Sequence, residues 1–187
     1  NKKLELDYIN LESFYKKKNE ITKKEINVFL DENKDQLKVE YIDFSYAIIN
    51  PKNLIGVDDF NQSFFDKIDQ IEIDISNEVE FETILSSLNI SATNIENFRY
   101  SSDKNEIEKK IFELRNNKFD IFENKNDYIL YNVKNVAETE PDLNDKQIKQ
   151  EVIELVSQKN KFDYNKELLD KITNKQFDNA NFLQMGK

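Results

Sequence analysis

The chain has no cysteine, no histidine and no tryptophan, and only two glycines and two prolines in 187 residues. Without cysteine there is no disulfide, no CxxC redox pair and no thiolate zinc site. The compartment stays open, because a periplasmic protein can also lack cysteine. Gly56 and Gly186 are too few and too far apart for a GxGxxG phosphate cradle, a P-loop or a GxSxG nucleophile elbow. Tight turns must fall to Asn, Asp and Ser. No run approaches the ~20 apolar residues that span a bilayer. Cations are also in deficit: 27 Lys and Arg against 37 Asp and Glu give a net charge of −10. Binding a phosphate backbone needs clustered cations. The one basic cluster, Lys16 to Lys18 with Lys23 and Lys24, is interrupted by Glu20 and Glu25 and suits a solvated helix entrance. No nucleic-acid partner is expected.

What is present is a folded chain. Hydrophobic residues make up 38% of it, with fourteen Phe and eight Tyr, too many and too regularly spaced for a mainly disordered protein. The length suits one or two domains. Residues 4–11 alternate apolar and polar through Leu4, Leu6, Tyr8 and Leu11, a strand period. Thr22-Lys-Lys-Glu25 has the form of a capping box opening a helix to about Gln36, with Ile26, Phe29 and Leu30 on one face. Residues 41–49, YIDFSYAII, are β-branched and aromatic and predict a strand that Asn50-Pro51 stops.

The most amphipathic segment follows, over 58–77. Phe60, Phe64, Ile68, Ile71 and Ile75 recur at helical spacing, with Asp58 and Asp59 placed to suit the helix dipole. A second helix is expected at 79–88, carrying Phe81, Ile84, Leu85 and Leu88. Residues 89–100 suit strand or loop. Asp103-Lys-Asn-Glu106 suits the cap of a third helix, near 104–115, with Ile107, Ile111 and Leu114. Two β segments, 119–123 and 128–136, flank a hairpin turn at Asn124–Asp127. After Pro141 the helical period returns, in the stripes Ile148, Val152, Leu155, Val156 and Leu168, Leu169, Ile172, and Ala180–Met185 opens a further apolar piece. The switch from period two to 3.6 and back predicts an α+β fold, a small antiparallel sheet covered by helices with a flanking helical lobe. In that lobe, segments 22–37 and 143–174 pack together. The expected domains are 1–40, a strand and helix of the lobe; 41–137, the sheet domain; and 138–187, helices returning to the lobe.

No cluster has the spacing of a metal site or an acid–base pair. Asp142, Asn144 and Asp145, and Glu123 to Asp127, lack the DxDxDG order and distal glutamate of a calcium loop and suit caps and turns. Asp58 with Asp59, and Glu138 with Glu140, have no partner nucleophile. No cofactor and no metal are expected. Phe60, Phe64, Ile107 and Phe112 lie at core spacing. The off-stripe residues Phe65, Ile73, Phe98 and Tyr100 are better placed for binding.

Three stretches together resemble parvulin-type peptidyl-prolyl isomerases (rotamases). YIDFSYAII resembles the family's first strand. IEKKIFELRNNKFDIF resembles its third helix and the strand after it, where FxxAxFxLxxGxxS is common. NDYILYNVKNV resembles the last strand, usually FGYHIIKV. The flanking LELDYINL and TKKEINVFLDENKDQLKV, with the helices after 142, look like the chaperone lobe of periplasmic folding factors of the PpiD and SurA group. The resemblance covers most of the chain and rests on order and spacing more than on any single motif.

The departures bear on activity. Tyr46 stands at the first-strand histidine position and Ile129 at the last-strand one. TNIENF, residues 93–98, replaces the glycine-rich GGxLGxF segment, with Phe98 its survivor, and Ile107 takes the proline-pocket phenylalanine position. Rotating a prolyl bond means crossing ~18–20 kcal/mol, and a Tyr and an Ile cannot reproduce a histidine pair's hydrogen bonds. No catalytic residue is therefore assigned. The resemblance implies a non-catalytic, polypeptide-binding chaperone module for unfolded or extended clients, with Tyr46, Phe98, Tyr100, Ile107 and Tyr128 as candidate contacts. The alternative is a divergent isomerase that remains active through Tyr46 and an apolar pocket. The family context implies the periplasm. The chain opens on Asn1 without Met and stops just after a fresh apolar stretch, so both ends are expected to be cut, with either an inner-membrane anchor or a signal removed upstream.

Overall fold

The computed structural model describes residues 7–101 and 103–186. Half of the molecule is helical, and its strands form one four-stranded antiparallel sheet packed with helices, an α+β fold. The Cα packing separates two units, residues 38–139 and residues 1–37 with 140–187.

The second of these units begins with the segment expected as a strand. Leu4 and Leu6 lie outside the described residues. Residues 7–10 are irregular and Leu11–Phe14 form a 3-10 turn capped by the Asn10 side chain. Among the described residues, no strand pairs with this segment. Tyr15 instead docks on a long helix further along the chain, its hydroxyl donating to Asn165 Oδ1 at 2.9 Å and its ring meeting Tyr164 edge-on. Helix α1 (Lys23–Asn33) has the expected capping box. Thr22 Oγ1 accepts from the Glu25 amide, and the Glu25 carboxylate accepts from the Thr22 amide. The Lys16 ammonium and those Thr22 bonds hold the Glu25 carboxyl down at about 2.

In the sheet unit come β1 (Val39–Ile49), a short α2 (Pro51–Ile55), α3 (Gln62–Ser76), α4 (Phe81–Leu88), β2 (Thr93–Phe98), α5 (Glu106–Glu113), β3 (Phe119–Asn124) and β4 (Asp127–Thr139). The chain ends in α6 (Lys146–Thr173) and α7 (Asn179–Met185). Asn50 both stops β1 and caps α2, exchanging hydrogen bonds with Asn53, and Gly56 takes the left-handed φ of 75° that ends that helix. Two helix starts shift. Asn61 caps α3, which begins after the Asp58–Asp59 pair expected at its start, and Asn105, not Asp103, caps α5. In each case the amide side chain sits one residue before the first helical turn, where its oxygen can reach the orphan N–H groups. Phe60 then precedes the α3 cap and stacks on Phe65 in the first turns, a hydrophobic staple.

The sheet order is β2-β1-β4-β3, every neighbour antiparallel. Along β1, Ile42, Phe44 and Tyr46 face one side, while Ala47 and Ile49 face the other. Along β4, Ile129, Tyr131 and Val133 oppose Tyr128 and Leu130 in the same way. Helices α3 and α4 cover one face through Phe64, Ile68, Ile71, Phe81, Ile84 and Leu85. The other face is covered by α5 through Ile111 and, partly buried, Ile107 and Phe112. Both neighbours of β1 carry an extra residue beside Asp43. Its register partners step from Phe98 to Ile95 in β2, and from Asn135 to Val133 in β4. At the β2 bulge Asn97 takes φ of 51°. Its amide donates to Asp43 Oδ1 at 2.7 Å, and the Asn135 side-chain amide donates to Asp43 Oδ2 at 3.3 Å.

In the lobe unit, α1 packs on the first half of α6, burying Ile26 with Ile148, Val152 and Val156. The second expected stripe of α6 differs. Leu169 and Ile172 are exposed, as are Phe162 on α6 and Leu183 on α7. Leu168 is half-buried. No helix among the described residues is long and apolar enough to cross a membrane.

Asp43→Ala is expected to destabilise the sheet unit by about 1.5–3 kcal/mol, the worth of hydrogen bonds to a charged group. Asp43→Asn, which keeps an acceptor for the Asn97 amide, should cost less. Urea unfolding of both variants measures the difference. Removing residues 143–187 should uncover Ile26 and make the remainder aggregate, as followed by light scattering; a truncated chain that stays soluble and melts cooperatively would contradict the α1–α6 pairing.

Candidate functional site

The α5 face of the sheet brings four of the six singled-out residues together. Tyr46, Phe98 and Ile129 are buried in one cluster with Phe44, Ile111 and Tyr131, and Ile107 packs against it half-buried. Period two explains Phe44 with Tyr46, and Ile129 with Tyr131. It does not explain Ile95 with Phe98, three residues apart on one face. The bulge at Asn97 absorbs the odd residue and turns Phe98 inward, where its ring meets Phe44 edge-on at 5.6 Å. Phe98 is therefore core rather than surface. Tyr100 is 44% exposed, and its ring leans on Phe112 at 5.7 Å, with Arg115 lying 4.5 Å over that same Phe112 ring. Arg115 in turn pairs with Glu40.

Tyr128 is on the other side of the sheet. It neighbours Ile129 in β4, so its side chain points to the α3 face, where its ring lies 5.6 Å from that of Phe64. Tyr46 and Ile129 therefore share a face with each other, but not with Tyr128.

Tyr46 is the one polar side chain among the four. It lies opposite Thr93 of β2 and Tyr131 of β4. Burial pushes its hydroxyl above the ordinary value; Glu108 on α5 adds to the rise and a hydrogen bond with Thr93 opposes it. At neutral pH it is a phenol that can donate one hydrogen bond. Tyr131 is fully buried. Its hydroxyl donates to the Leu114 carbonyl at 3.4 Å, and burial, helped by Asp120, pushes it up to about 12. Ile129 offers no polar atom. The arrangement can hold apolar groups and donate a single bond. It does not pair a nucleophile with a base, and no group of three metal-ligating side chains converges among the described residues.

Residue spacing alone did not single out Phe44, Tyr131 or Thr93 as neighbours of the candidate site. For Phe44 and Tyr131 the signal was present in the two-residue alternation. For Thr93 it was not, because the partner of Tyr46 depends on strand register. Comparison with known proteins found no matching family model, no matching curated protein and no matching solved structure.

Tyr131 generates a pH prediction. Its neutral form is favoured by the fold, so its contribution to stability is whole below the unfolded value of 10.0. It declines as pH rises toward about 12. Tyr131→Phe should flatten this decline, measured as urea midpoints between those two pH values.

Proposed function

We propose that the 38–139 unit is a parvulin-like module that binds extended or unfolded polypeptide and does not catalyse prolyl rotation. The observation that carries this reading is the composition of the α5 face: Tyr46 and Ile129 meet in an apolar cluster that a single short helix covers. Tyr100, Ile107, Ile95 and Phe112 stand at its partly exposed margin. The element order supports it, since the strands and helices follow the order the family resemblance implies, with α2 additional. An apolar margin beside an edge strand suits an extended client, whose backbone can pair with β2 while its side chains meet the margin.

Catalysis is a different demand. Lowering the rotation barrier needs polar groups preorganised around the twisted imide. A fully buried Ile129 and one neutral Tyr46 hydroxyl supply little of that. A periplasmic chaperone role, with any membrane attachment supplied by an upstream anchor, belongs to the same proposal. The alternative, a divergent isomerase working through Tyr46, makes the opposite prediction for one variant.

In a protease-coupled prolyl assay the chain should be near background, and Tyr46→Phe should change neither that rate nor client binding. In a light-scattering assay it should slow the aggregation of an unfolded client. Tyr100→Ala with Ile107→Ser should weaken binding of that client roughly tenfold, the scale of losing an aromatic anchor. A rate comparable to active parvulins that Tyr46→Phe abolishes would establish the isomerase alternative. Failure to hold any unfolded client would refute the chaperone reading.

A further inference from the structure

The α3 side of the sheet carries a second surface of different chemistry. Phe60 and Phe65 stack at 5.9 Å with their planes 18° apart, yet remain 43% and 41% exposed. A staple accounts for their pairing but not for that exposure. Both rings rest edge-on against Phe64, at 5.0 and 5.5 Å, and Tyr128 meets the same ring from the sheet. Phe64 is fully buried, so three aromatic rings stand on one fixed base. Ile73, two turns further along α3, is 52% exposed. Helical spacing puts Phe65, Asp69, Glu72 and Ile73 on one flank and Lys67, the only cation in α3, on the other.

Carboxylates frame the patch. Glu123 pairs with Tyr128 across the β3–β4 hairpin. Burial raises the Tyr128 hydroxyl above its ordinary value, and the charges of Glu123, Glu72 and Asp69 raise it further. We infer that the face formed by Phe60, Phe65, Tyr128 and Ile73, with Asp69, Glu72 and Glu123, is a docking surface for a basic, apolar polypeptide segment. Charge complementarity selects this occupant. A lysine- or arginine-bearing segment meets the carboxylates while its apolar side chains cover the rings, whereas an acidic segment or an anionic bilayer is repelled. The rings are already held in place, so little side-chain entropy is lost on binding. The inference is independent of the α5-face reading, because the two surfaces lie on opposite sides of the sheet.

The test uses the whole chain and two short labelled peptides of equal length, one alternating lysine with leucine, the other glutamate with leucine, followed by fluorescence anisotropy. The lysine peptide should bind at least about tenfold more tightly, and the preference should shrink with added salt. Phe65→Ser should weaken it roughly tenfold. The double variant Asp69→Lys with Glu72→Lys alters only exposed side chains and should abolish the preference. Phe162→Ser, which removes an exposed aromatic ring on α6, should leave it intact. Thermal melts confirm that each variant folds; should Phe65→Ser not fold, the charge reversal decides alone. Equal binding of the two peptides, or a preference that survives the charge reversal, would overturn the proposal. So would loss through Phe162→Ser. Concentration-dependent self-association that Phe65→Ser dissolves and the lysine peptide does not displace would assign the face to a second copy instead, and would also overturn it.

Discussion

Strand β1 supplies side chains to two cores at once, and the rest of the sheet unit is arranged around that demand. Ile42, Phe44 and Tyr46 fill the α5 face while Ala47 and Ile49 fill the α3–α4 face. A one-residue slip would exchange those sets and put aromatic rings where Ala47 now leaves room for the α3–α4 layer. Register is therefore strongly specified, and β4 follows it along the full length of β1. Asp43 marks the place where the strict ladder yields. The two strands flanking β1 each insert a residue there, and the carboxylate satisfies donors from both. The polar residue holds the irregularity, and the irregularity sends Phe98 into the core.

The two faces differ in what they leave open. On the α5 side the interior is apolar almost without exception, and the exposed margin is one tyrosine with half-buried neighbours. On the α3 side the interior is equally apolar, but the margin combines aromatic rings with carboxylates. An apolar margin recognises polypeptide broadly, since shape and exclusion of water do most of the selection. An acidic aromatic margin discriminates by charge sign. On the two proposals made above, a chain of net charge −10 would carry one surface with little preference and one with a strong preference.

The lobe formed by the ends of the chain follows a different principle. Its buried side chains are Ile26 on α1 and Ile148, Val152 and Val156 on α6, two helices in contact, and Tyr15 bonds to Asn165 while Lys161 pairs with Glu12. Exposed ion pairs of this kind contribute little each. The burial of a few branched side chains, about 1.5–3 kcal/mol apiece, accounts for the pairing.

The α+β class, the helices α3, α4 and α5, the β3–β4 hairpin and the capping box at Thr22 were all legible in the residues. Each is written in a local period or a short capping pattern, and local periods survive folding when they agree with the tertiary packing. Phe64, Ile68 and Ile71 needed only their spacing to be placed in the core. The outcomes that were not legible all depend on partners distant in sequence. Residues 7–11 alternate like a strand, but among the described residues no strand pairs with them. Phe60 has helical spacing but lies before the Asn61 cap, so it remains exposed. Leu169 and Ile172 form a stripe that no helix covers. Phe98 is buried by a bulge one residue long, and Tyr128 parts from Ile129 because adjacent strand residues point oppositely. Sequence thus determined most of the segments that become helix or strand, the alternating segment at the start excepted, and that no histidine or thiol chemistry is available to them. Only the tertiary structure decided register, bulge position and which apolar stripes find a partner, because those depend on contacts between segments that the chain order does not specify.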